Sequence, residues 1–128
     1  MTIERFEDLD IWQEARNLCS EIKKLCNKND FSKDFRLKDQ ILGSSGSIMD
    51  NIAEGFERGG NKEFINFLGI AKGSCGETRS QLYRSLDFEY ISKEEFDNLL
   101  QKTIMLSKKL SGFITYLKSS EYKGVKYK

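Results

Sequence analysis

Apolar residues recur along this chain at alternating steps of three and four, the spacing of one buried face of an α-helix and not of a strand. The first stripe is Ile11, Ala15, Leu18, Ile22 and Leu25, flanked by Trp12, Cys19 and Cys26. It predicts a helix over about residues 9–28, capped by Asp8 or Asp10 and broken by the polar run from Asn27 to Asp30. After a connector from Phe31 to Leu37, with Ser32 as a candidate cap, Ile41, Ser45, Ile48, Ile52 and Phe56 predict a second helix over about residues 36–58. Leu42, Met49 and Ala53 lie beside that stripe, and Gly59-Gly60 ends it, because glycine accepts the left-handed conformation of a helix C-terminus. Asn61 is then expected to cap a third helix over about residues 61–86, with Phe64, Phe67, Leu68, Ala71, Cys75, Thr78 and Leu82 inward. The pattern lapses from Asp87 to Ile91. Ser92-Lys93-Glu94-Glu95 is a capping box, and Phe96, Leu99, Thr103, Leu106, Leu110, Phe113 and Leu117 continue as a fourth helix over about residues 93–119.

Short connections make neighbouring helices antiparallel. The expected fold is all-α, an antiparallel up-down-up-down four-helix bundle, with residues 1–128 as a single domain and a basic, frayed tail over residues 120–128. A chain of 128 residues buries roughly two thirds of its unfolded surface, enough for a core without staples. No proline interrupts any stripe.

The helices differ on their other faces. The first carries Gln13, Asn17, Ser20, Glu21 and Lys24 there, and the fourth carries Asp97, Gln101, Lys108 and Gly112, which read as ordinary solvated faces. The second instead lines up Gln40, Ser44, Ser47, Asn51, Glu54 and Arg58, with Gly43 adjacent. The third lines up Lys62, Asn66, Gly69, Gly73, Gly76 and Ser80. A mid-helix glycine costs about 1 kcal/mol relative to alanine, so a solvated face has no reason to prefer it. Small residues do let another backbone or a flat ligand approach closely. The face is therefore expected to make a helix–helix contact, within the bundle or between subunits. A ligand or nucleic-acid groove is the second reading, and a tolerated solvated face the third.

Composition removes several chemistries. The chain has no histidine, the commonest general base and metal ligand, which argues against a di-iron bundle. The segment GIAKGSCGE holds Gly, Lys and Ser in the wrong order for a phosphate loop and in mid-helix. Glu54 and Glu77 could meet as paired carboxylates, although Glu54 has Arg58 four residues on as a simpler partner. Cys19, Cys26 and Cys75 form no CxxC pair and read as small buried hydrophobes in a reducing compartment, with Lys72 a weak activator of Cys75. No catalytic residue, metal or cofactor is expected, and the chain is not read as an enzyme. The formal net charge of +1 is not that of a strong nucleic-acid binder. MTIERFEDLD lacks the apolar run of a signal peptide, and no stretch is long and apolar enough to span a membrane, so a cytoplasmic protein is expected.

Several of these residues carry a resemblance. Phe6, Leu9, Trp12 and Gln40-Ile41 lead into Ser47-Ile48, Asn51-Ile52-Ala53-Glu54-Gly55-Phe56, Glu63-Phe64 and Phe67-Leu68, followed by Ala71-Lys72-Gly73-Ser74, Glu77 and Gln81-Leu82. In these the chain resembles the four-helix-bundle proteins encoded in intervening sequences of bacterial large-subunit rRNA genes. The resemblance covers almost the whole chain. It implies a bundle that assembles into a homo-oligomeric ring, typically a pentamer. The family is also similar to the accessory protein of diversity-generating retroelements, which implies nucleic acid or a reverse transcriptase as partners. Here Leu42 and Gly43 stand where many relatives are basic, and Met49 where relatives often carry proline.

The resulting expectation is a ring-forming scaffold or binding module, with Gln40, Ser44, Ser47, Asn51, Glu54, Arg58, Asn66, Gly69, Gly73 and Gly76 as its interface or ligand face. The alternative is an RNA- or DNA-binding accessory factor. Its contacts would come from Lys118, Lys123, Lys126, Tyr127 and Lys128, with Tyr122 also interleaved, the tyrosines stacking on bases and the lysines meeting phosphates. A merely solubilising tail is the plainer reading.

Overall fold

Each apolar stripe forms a helix in the computed structural model, which describes residues 3–119. The helices are α1 (Asp10–Cys26), α2 (Phe35–Arg58), α3 (Asn61–Asp87) and α4 (Lys93–Ser119), with short 3-10 turns at Phe6–Asp8 and Asn29–Lys33. No strand occurs among the described residues. Boundaries fall within two residues of the sequence expectation.

Paired side chains give the directions. Along α2, Gln40, Ser44, Ser47 and Arg58 meet Arg84, Thr78, Ser74 and Glu63 in turn, so α3 runs antiparallel to α2. Asn61 reaches the Leu117 carbonyl, and Cys75 that of Thr103, which makes α4 antiparallel to α3. Lys109 meets Asp10 while Lys102 meets Glu21, so α1 is antiparallel to α4. The result is an up-down-up-down four-helix bundle.

The predicted inward residues other than Phe67, which is half-buried at the α2–α3 edge under Arg58, contribute to one continuous core around Leu18, Ile22, Ile41, Ile48, Ile52, Phe56, Phe64, Leu68 and Leu82. Burying each of these contributes about 1.5–3 kcal/mol. Phe64 stands edge-on to both Phe56 and Phe113, at 6.0 and 5.4 Å, so three helices share one aromatic cluster. The α2–α3 crossing is tight at Gly55, where an added Cβ would lie 2.6 Å from Phe67 Cβ and 2.9 Å from Phe64 Cδ1.

Three expected caps are corrected. Leu9, not Asp8 or Asp10, precedes α1, because its side chain is buried in the core. Asp8 pairs instead with Arg5, and Asp10 with Lys109. Asp34, not Ser32, caps α2 by accepting the Leu37 N–H at 3.0 Å. Gly60 precedes α3, and Asn61 turns its side chain inward to α4. The box at α4 forms as expected. Glu95 N–H donates to Ser92 Oγ, and Ser92 N–H donates to Glu95 Oε1, at 3.1 and 2.9 Å. Gly59, at φ 90°, ends α2.

The outer faces of α1 and α4 are largely exposed, as expected, and a ladder of charged contacts runs along the α1–α4 seam beside them. Asp10 and Glu14 flank Lys109, Asn17 and Glu21 flank Lys102, Asn98 donates to Glu21, and Lys28 reaches Glu95. The Lys109 hydrogen bond holds Asp10 below the usual carboxylate range. Lys28 does the same for Glu95, and the Leu37 N–H, then the Tyr90 hydroxyl, for Asp34. In return Lys109 is raised by Asp10 and Glu14, and Tyr90 by Asp34. Depressed carboxylates contribute stability that is present above their unfolded pKa of about 4 and lost as pH falls through the folded value. Raised Lys109 and Tyr90 contribute stability that is present below about 10 and lost as pH rises through theirs. With no histidine between, the urea midpoint should stay level from about pH 5.5 to 8 and fall on both sides. A pronounced slope inside that window in a series of urea melts would contradict this.

Candidate functional site on the second and third helices

The polar line of α2 divides into a buried half and an open edge. Ser44, one of the expected interface or ligand-face residues, is buried in the α2–α3 contact, as its position three residues after Ile41 and four before Ile48 dictates. Its Oγ lies 2.8 Å from Thr78 Oγ1 and donates to Gln81 Oε1 at 2.6 Å, while Thr78 donates to the Ser74 carbonyl at 2.9 Å. One turn on, Ser47 Oγ meets Ser74 Oγ at 3.0 Å, and Asn51 Nδ2 donates to the Ser47 carbonyl and hydroxyl at 2.8 and 2.9 Å. Gln40 accepts from Arg84 at 2.7 Å. At the far end Arg58 pairs with Glu54 and Glu63 and lies over the Phe67 ring.

These residues are the glue of the α2–α3 seam. A buried hydroxyl costs about 1–3 kcal/mol when left unpaired, so the network fixes the register of the hairpin. Its partners on α3, Ser74, Thr78, Gln81 and Arg84, were absent from the sequence-derived face. Thr78 stood in the apolar stripe, and a polar residue in such a stripe was the available signal.

The glycine line of α3 lies elsewhere. With Ser74, Thr78 and Gln81 turned to α2 and Cys75 to α4, helical periodicity leaves Gly69, Gly73 and Gly76 on the outward side with exposed Asn66, Lys62 and Ser80. An added Cβ at Gly69, Gly73 or Gly76 would meet nothing within 4 Å, and the same holds for Gly43 and Gly46 on α2. The expected close packing therefore does not occur within the chain. Beside Gly69 and Gly73, Ile70 is 49% exposed. The face is open and free of neighbours in the chain at its glycines, with exposed Lys72 one turn from both Gly69 and Gly76.

A family model described as 23S rRNA-intervening sequence protein matches residues 7–112. The chain belongs to the 23S rRNA-intervening sequence protein family. It is similar to a solved structure from Bacteroides thetaiotaomicron VPI-5482, described as a protein with unknown function from the S23 ribosomal protein family. That likeness has a TM-score of 0.73 and 29% identity, and covers 81% of this chain and 97% of the other. No curated protein matches the chain.

In this member of the intervening-sequence family, the other chemical candidates take structural places. Glu54 binds Arg58, and the antiparallel register sets Glu54 about ten residues, or about 15 Å of helix, from Glu77. The two do not form a carboxylate pair. Among the described residues no cluster of acidic or sulfur ligands could hold a metal. Burial pushes the Cys26 and Cys75 thiols up to about 11, against the small opposing pull of nearby cations, Lys72 among them. Cys75 donates to the Thr103 carbonyl at 3.3 Å, and Cys19 is half-buried beside Ser45. Neither buried thiol is poised for reaction. Of the basic tail candidates, Lys118 is exposed in the last turn of α4, while Tyr122, Lys123, Lys126, Tyr127 and Lys128 lie outside the described residues. Among the described residues no helix is long and apolar enough to cross a membrane.

Proposed function

We propose that this protein is a non-enzymatic, cytoplasmic scaffold or binding module that assembles with copies of itself into a ring, a pentamer by its family resemblance. The subunits meet through the open small-residue face of α2 and α3. The observation that carries this reading is the cluster of mid-helix glycines on α2 and α3, Gly43, Gly46, Gly69, Gly73 and Gly76, where an added Cβ would meet nothing in the chain within 4 Å; α4 has one such glycine, Gly112. Each forgoes about 1 kcal/mol of helix propensity. Inside the fold, Gly55 has a steric reason to be glycine, and these five have none. An approaching backbone from a second copy supplies that reason, and half-exposed Ile70 supplies an apolar contact beside it. Size-exclusion chromatography with light scattering tests the reading. A mass several times 14.8 kDa at micromolar concentration is expected, and a monomer would overturn it.

A second reading, a nucleic-acid-binding accessory factor, is favoured by the alternation of lysine and tyrosine in the C-terminal residues SEYKGVKYK. Fluorescence anisotropy with structured RNA and single-stranded DNA at low salt separates the two. Binding that weakens steeply with salt would support it, and no binding to either probe would remove it.

A further inference from the structure

The four helices are joined by seams of different chemistry. At the centre of the α2–α3 seam the contacts are uncharged and largely enclosed: Ser44 with Thr78 and Gln81, and Ser47 with Ser74. Across the α1–α4 seam, every polar contact among the described residues includes a charged group. From one end to the other these are Lys109 with Asp10 and Glu14, Lys102 with Asn17 and Glu21, Asn98 with Glu21, and Lys28 with Glu95. All the ion pairs are partly exposed, so solvent and salt reach them.

The seam is also flanked by open surface grooves. A groove of about 310 Å³ lies against Glu21, Leu25, Lys28, Glu95 and Leu99, and another of about 260 Å³ against Asp10, Glu14, Asn17 and Lys102. α1 is the shortest helix, at 17 residues against 27 for α4. It joins α2 through a turn in which Asn29 adopts φ 33°, a conformation that reverses the chain within a few residues. An isolated helix of this length is marginal, and α1, which also packs on α2, opens more readily once its contact with α4 weakens.

We infer that the α1–α4 seam is an electrostatic latch: rising ionic strength loosens α1 from α4 while the α2–α3 hairpin stays closed. The physical reason is selective screening. The Debye length falls from about 10 Å at 0.1 M salt to about 3 Å at 1 M, which weakens exposed ion pairs and leaves enclosed neutral hydrogen bonds untouched. Loosening bares the inward leucines of both helices, Leu18 and Leu25 on α1 and Leu99 and Leu106 on α4. The latch thus couples the ionic surroundings to transient apolar surface on one side of the bundle.

Hydrogen exchange on the full chain at neutral pH, in 20 mM and in 1 M sodium chloride, tests this. Amides of α1 should exchange about tenfold faster at high salt, the combined worth of several exposed ion pairs, while those of α3 between Ala71 and Leu82 keep their protection. Equal protection of α1 at both salts would overturn the latch, as would a loss shared by all four helices. A double variant, Lys102→Met with Lys109→Met, should already show faster α1 exchange at low salt and a smaller further response, that of the remaining Lys28–Glu95 pair. A salt response equal to wild type in that variant would overturn it too, and the wild-type comparison decides alone if the variant does not fold.

Discussion

Replacing Gly55 with alanine should lower the unfolding free energy by about 1–3 kcal/mol, the usual cost of forcing a methyl group into a filled site. The added carbon would stand 2.6 Å from Phe67 Cβ, which is fixed to the α3 backbone and cannot swing aside. It would also stand 2.9 Å from the Phe64 ring, already held by Phe56 and Phe113. The helices must part at this crossing, and the core contacts on either side loosen with them. Alanine at Gly73 meets nothing in the chain, so in dilute, monomeric protein it should stabilise by up to about 1 kcal/mol through helix propensity. Urea melts of the two variants side by side should show midpoints displaced in opposite directions. Equal displacements would mean that the close crossing at Gly55 is wrong.

The second large effect concerns assembly. Gly73→Glu places a charged, four-bond side chain at the centre of the open face, where it collides with nothing in the same chain. Glutamate is also a better helix former than glycine, so circular dichroism should report an intact bundle. If a second copy packs its backbone against this face, the same side chain holds the copies apart and buries a charge without a partner. The expected outcome is a folded monomer in place of the wild-type assembly. An oligomer of unchanged mass would show that the copies meet elsewhere.

Much of the fold was legible because helix periodicity is a local property. Stripes such as Ile41–Ile48–Ile52–Phe56 fix which side of a helix is buried without any knowledge of its neighbours. The caps were less legible, because they depend on competition. Asp10 has the chemistry of a cap but finds a stronger partner in Lys109, ninety-nine residues away. The α1–α4 ion ladder escaped for the same reason, since its partners belong to opposite ends of the sequence.

The candidate site was legible as an anomaly and not as an arrangement. Small and polar residues on α2 and α3 looked like one surface, whereas they serve two purposes. Ser44, Ser47 and Asn51 turn into the α2–α3 seam, while the α3 glycines face away from it. On α3 the residues that meet α2, Ser74, Thr78 and Gln81, stand about 140° around the helix from Gly69, Gly73 and Gly76, a division that acquires meaning only once the neighbouring helix is placed. Gly55 was hidden within the same motif as its neighbours, and its burial distinguishes it from every open glycine.

Copies of this chain are proposed to meet across the open α2–α3 face. Native mass spectrometry of the wild-type protein beside Gly73→Glu measures this most directly. A discrete wild-type assembly at a whole multiple of 14.8 kDa, near five-fold for a pentamer, is expected, and a folded 14.8 kDa monomer for the variant. A wild-type monomer, or an assembly that survives Gly73→Glu, would contradict it.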